Sequence, residues 1–70
     1  MKIKRRVKYK GRWFDASTGE VGDTEKWEAM VDDPNAPEEI QGLAAPGEHE
    51  QHAIDTLQNE IDAMPDNEPG

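Results

Sequence analysis

This 70-residue sequence predicts a small α+β fold: a basic β-hairpin or three-stranded sheet with a short helix, then a flexible linker and an acidic amphipathic helix. Three observations carry that reading. Apolar and basic side chains alternate over residues 2–10, Pro and Gly crowd residues 34–47, and Ile54, Leu57, Ile61 and Met64 recur at spacings of three and four. Period two marks a half-buried strand, Pro and Gly punctuate, and three-four spacing marks one face of a helix.

Taken in order, Ile3, Val7 and Tyr9 occupy odd positions, interrupted by Arg5, while Lys2, Lys4, Arg6, Lys8 and Lys10 occupy even ones. The pattern predicts a strand with one apolar and one basic face. Lys10-Gly11 suits a tight turn, because glycine reaches positive φ without steric cost. Arg12 to Phe14 then returns as a second strand and brings Trp13 near Tyr9 or Val7. A further turn at Ser17–Gly19 would admit a short third strand around Glu20 and Val21, and a third strand matters because a lone hairpin is marginal in water. Asp23 or Thr24 has the character of an N-cap, and acidic Glu25 suits a first helical turn. Trp27, Met30 and Val31 stand at i, i+3 and i+4, so a helix over about residues 24–31 would lid the hairpin. Pro34 ends it by disfavouring helical geometry at Asp33.

Residues 32–47 carry Pro34, Pro37, Gly42, Pro46 and Gly47 and read as a linker, with one helical turn begun by Pro37 able to dock Ile40 and Leu43. The last helix spans about residues 48–64, and its apolar seam is narrow because Glu48, Glu50, Asp55, Glu60 and Asp62 occupy the other faces. Such a helix is marginal alone and either docks or floats. Residues 65–70 hold no apolar side chain and are expected to be disordered. The organisation is thus a compact unit at 1–31, a linker at 32–47, a helix at 48–64 and a tail at 65–70.

Leu, Ile, Val and Phe number ten of 70 residues, below the roughly 20% at which a highly charged chain is suspected of disorder. There is no cysteine, so a thin core has no disulfide to support it. Neither a signal-peptide core nor an apolar membrane span is present, which leads us to expect a soluble, cytoplasmic protein, monomeric when free. Enzyme activity is not expected. The carboxylates are mostly solvated, Ser17 and Thr18 have no histidine near them, and a domain this small offers little concave interior. His49-Glu50-Gln51-His52 misses the zinc-protease spacing by one residue. We expect neither a metal nor any other cofactor.

Charge is the most informative global property. Residues 1–14 hold seven bases and no acid, whereas residues 15–70 hold all sixteen acids and one base, for a net charge of −8. The basic strand points to an acidic surface on a larger protein, with Arg5, Arg6, Lys8 and Arg12 supplying charge and Tyr9 or Trp13 an aromatic anchor, whichever ring is exposed. Ile54, Leu57 and Ile61 form a secondary candidate surface for a partner. The same basic segment could instead bind nucleic acid, neutralising phosphates while a ring stacks on a base. A third reading makes the acidic C-terminal half a mimic of nucleic-acid phosphates. In its general character (very short, cysteine-free, acidic overall, with an aromatic front and an acidic rear) the chain resembles small bacteriophage-encoded regulators that bind a host machine such as RNA polymerase. That resemblance implies a protein-binding inhibitor or regulator of transcription.

Overall fold

The alternating segment forms β1 (Lys2–Tyr9), which turns through Lys10 and Gly11 into β2 (Arg12–Glu20) in a computed structural model that describes residues 2–64. Both turn residues have positive φ, 51° at Lys10 and 77° at Gly11, the conformation whose twist matches that of the flanking strands. The register runs unbroken from Tyr9 opposite Arg12 to Lys2 opposite Gly19. β3 (Trp27–Val31) and β4 (Ala44–Gly47) extend the sheet in chain order, every pairing antiparallel, and α1 (Glu50–Asp62) packs on it. Among the described residues the fold is therefore α+β, a four-stranded antiparallel sheet with one helix. The tail at residues 65–70 lies outside the described residues.

Two local expectations are corrected. β2 runs straight through Ser17–Gly19, so no turn falls there, and Val21 is an exposed loop residue rather than part of a third strand. Residues 24–31 do not form a helix. Trp27, Ala29 and Val31 alternate with Glu28 and Met30 and pair with Glu20, Thr18 and Ala16 of β2. A segment this short has little helical tendency of its own, whereas strands on both sides satisfy its backbone. Thr24, expected as a cap, instead closes the β2–β3 turn. Its hydroxyl donates to the Val21 carbonyl at 2.6 Å and accepts from the Lys26 N–H at 3.3 Å. Threonine and aspartate serve turns as readily as caps, because the same short side chain bonds nearby backbone in both.

The stretch expected to be a linker contributes β4 and two buried side chains, Ala36 and Ile40. The Pro37 carbonyl accepts from Ile40 and Gln41 N–H at 3.0 and 2.9 Å, forming the single turn that seats Ile40. The Asp33 carboxylate ties this segment to β2. It accepts from the Asp15 N–H at 3.0 Å and the Asn35 N–H at 2.8 Å, and these two bonds hold its pKa below the ordinary aspartate value of 3.8.

The core lies between the sheet and α1. Val7 and Tyr9 of β1, Phe14 and Ala16 of β2, Ala29 and Val31 of β3 and Ala45 of β4 meet Ala53, Ile54, Leu57 and Ile61 of the helix. Trp27, Leu43 and Met64 pack around this cluster. Small residues decide how close the helix comes. A Cβ added at Gly47 would meet the backbone of Ala53 and lie 2.8 Å from its Cβ, so only glycine lets α1 rest directly on β4. Among the described residues, no helix is long and apolar enough to cross a membrane.

Candidate functional site

Strand parity builds the surface. Odd residues of β1 face α1, so Lys2, Lys4, Arg6 and Lys8 project together from the opposite face, and all four are exposed. The register places Trp13 beside Lys8, Asp15 beside Arg6 and Ser17 beside Lys4 on that same face. Trp13 is 59% exposed, and the Lys8 ammonium stands 5.9 Å from its ring centroid. Arg6 reaches Asp15 only at 3.9 Å between two solvated side chains, a geometry that contributes little. Farther along, Lys2, Ser17, Gly19, Glu28 and Met30 line an open depression of about 290 Å³. No element covers this side of the sheet among the described residues, so a basic row, an exposed indole and a shallow hollow form one open surface.

The site residues expected from sequence divide between the two faces. Arg6, Lys8 and Trp13 belong to the open surface. Arg5 does not, because its odd position sends it toward the helix. There Nη1 donates to both carboxylate oxygens of Glu50 at 2.8 Å, and Nη2 donates to Gln51 Oε1 at 3.1 Å. Glu50 also accepts from the buried Thr18 hydroxyl at 3.0 Å. Arg5 thus pins the first turn of α1 to the sheet, and the Arg that interrupts the apolar alternation is explained by this internal partner.

Tyr9 is 1% exposed, so of the two candidate rings only Trp13 is open to a partner. Trp13 also does not approach Tyr9 or Val7 on their face. It stands opposite Lys8, while Val7 stands opposite Phe14. Arg12 is exposed at the hairpin end, its guanidinium 5.8 Å from the Phe14 ring centroid. Ile54, Leu57 and Ile61, expected as a secondary partner surface, are buried against the sheet and spend their apolar area inside the molecule.

Two histidines cap the helix. His49 Nδ1 accepts from the His52 N–H at 3.2 Å, and His52 Nδ1 accepts from the Glu48 N–H at 2.9 Å. The His49 ring thereby satisfies a backbone donor that the helix start leaves without an intrahelical partner, and the His52 ring reaches back to the residue before the cap. Among the described residues, no three His, Asp or Glu side chains come together as metal ligands.

Sequence reasoning passed over three residues. Lys2 and Lys4 share the open row, and their even numbering already signalled it. Gln58 had no such signal. Its side-chain amide accepts from the Lys8 N–H at 2.8 Å and donates to the Lys8 carbonyl at 2.9 Å, an arrangement that depends on where α1 crosses the sheet. No family model, curated protein or solved structure matches this chain.

Proposed function

We propose that the protein is a small non-enzymatic regulator that binds an acidic surface of a larger protein through the open face of β1 and β2. The observation that carries this reading is the unbroken row of Lys2, Lys4, Arg6 and Lys8 beside the exposed Trp13. Charged side chains in such a row speed encounter with a complementary surface, and a tryptophan supplies contact area at low entropic cost. The acids of α1 lie on the other side of the sheet, so the charge asymmetry of the sequence becomes a two-faced molecule. The resemblance to phage regulators makes bacterial RNA polymerase the first partner to test, with inhibition of transcription as the readout and the cytoplasm as the site of action.

Nucleic acid is the second reading, favoured by the pairing of Lys8 with an exposed indole. It is opposed by Asp15 and Glu28 on the same face, which would repel phosphates along the side of the row where the sheet continues. Titration of the wild type and a Lys4→Glu/Arg6→Glu double variant against polymerase, duplex DNA and single-stranded RNA, each at two salt concentrations, separates the two. The double reversal should weaken protein binding at least about tenfold, chiefly through association rate, and Trp13→Ala should do the same through dissociation. Tight wild-type binding to nucleic acid at physiological salt, without binding to polymerase, would overturn the proposal.

A further inference from the structure

We infer that the free edge of β1 is a strand-addition site for an extended acidic segment of the partner. This inference rests on the reading of the basic strand as the contact surface and specifies how the contact is made. β1 is the first strand of the sheet and, among the described residues, pairs only with β2. Because the Lys8 N–H and carbonyl point away from β2 to Gln58, the alternation of an antiparallel ladder turns the same groups of Lys2, Lys4 and Arg6 outward as well. Among the described residues these outward groups have no partner. Three residues of β1 therefore present a row of donors and acceptors spaced for another strand.

Gln58 reveals how that edge is read. Its amide returns one donor and one acceptor to Lys8, the same exchange a residue of a neighbouring strand would make. It closes the edge at the hairpin end and confines an added strand to Lys2–Arg6. The far edge of the sheet is less inviting, since β4 has four residues and one is Pro46, which has no N–H to offer.

Charge selects the occupant. In a second copy of this chain, β1 against β1 would set Lys and Arg beside Lys and Arg, which is how lysine protects edges from self-pairing. An antiparallel acidic segment meets no such penalty. The residue opposite Lys4 exchanges two hydrogen bonds with it and carries its own side chain on the same face of the sheet. Acids at alternate positions would therefore lie beside Lys2, Lys4 and Arg6, and those same acidic residues would supply the backbone bonds.

That coincidence provides a clean test. The probe is a blocked peptide of about eight residues in which Glu alternates with Thr or Val, long enough for one strand. Two N-methylated forms accompany it, one methylated on the Glu nitrogens and one on the Thr and Val nitrogens. All three carry the same charge. With the intact wild-type chain, the unmethylated peptide should protect the Lys4 and Arg6 amides from hydrogen exchange, while those of Arg5 and Val7, already paired with β2, keep their protection. Methylation on Glu should weaken binding at least about tenfold, and methylation on Thr and Val should change it less than about twofold. In Gln58→Ala, protection should extend to the Lys8 amide. Equal binding of both methylated forms would overturn strand addition and leave the basic-surface reading standing. Failure of the unmethylated peptide to bind would also overturn it, whereas loss of salt-sensitive polymerase binding in the Lys4→Glu/Arg6→Glu variant tests the parent reading separately.

Discussion

The two faces of β1 do different work. Its odd residues are spent on the fold: Val7 and Tyr9 are buried, and Arg5 holds Glu50 at the start of α1. The side chains of its even residues face away from the core: Lys2, Lys4, Arg6 and Lys8 are exposed and gather on the uncovered side. Neighbours one position apart, such as Arg5 and Arg6, share chemistry yet differ wholly in consequence. In a chain with so little apolar material, one strand can support the core and still present a binding surface because its two faces are independent.

The helix-facing side should be the fragile one, most of all where backbone meets backbone. Gly47→Ala puts a methyl group against the Ala53 main chain, which cannot rotate away. We expect a loss of about 3 kcal/mol, at the upper end for overpacking, read from denaturant unfolding monitored by helical circular dichroism. A domain of this size has on the order of 5 kcal/mol to lose. A variant of unchanged stability would mean that α1 does not rest on β4.

The adjacent arginines sharpen the comparison most directly. Arg5→Glu sets a carboxylate against Glu50 and leaves the Thr18 arrangement unbalanced, so it should cost about 1–2 kcal/mol, tempered by the partial exposure of the pair. Arg6→Glu should stay within about 0.5 kcal/mol, as expected for a solvated surface position, while carrying the binding defect. Equal thermal shifts for the two variants would erase the distinction between the faces.

Tyr9→Phe tests the inner face in the opposite sense. The Tyr9 hydroxyl is buried with no hydrogen-bond partner among the described residues. Removing it should leave stability unchanged or raise it by up to about 1 kcal/mol, because an unsatisfied buried hydroxyl is a cost to the fold. A clear loss in Tm would reveal a partner for that oxygen.

The smallest effect concerns the tie between β2 and the segment after β3. The Asp33 pKa is depressed in the folded state, so its contribution is present above the ordinary aspartate value of 3.8 and fades as pH falls through the lower folded value. Asp33→Ala should therefore lower Tm at about pH 7, with the deficit shrinking as pH falls below 3.8 and the wild-type carboxylate takes up its proton. A deficit independent of pH would show that the carboxylate charge is not what the two N–H groups require.

The hairpin, its turn and the split of β1 into apolar and basic faces were legible because they are local. Period-two patterning and the permissive Gly11 specify them without reference to the rest of the chain. The apolar seam of the last helix was legible for the same reason. The segment at Trp27–Val31 was misjudged because five residues satisfy a helical and a strand spacing equally well. Ala29, too small to register as apolar pattern, is fully buried and decides the matter in favour of a strand. β4 was hidden for a similar reason, since Ala44-Ala45-Pro46-Gly47 has the composition of a loop.

By itself, then, the sequence determined which side chains of β1 share a face, where the chain reverses at Lys10-Gly11, and that the cations lead and the acids follow. Those properties need only backbone geometry and counting. Tertiary structure alone decided that Arg5 finds Glu50 as its partner, that Tyr9 is enclosed while Trp13 is not, and that Gln58 closes one end of an otherwise open edge. Each depends on where α1 lies across the sheet, which is set by contacts between residues 32–50 positions apart, and a close approach at Gly47 that no local pattern encodes.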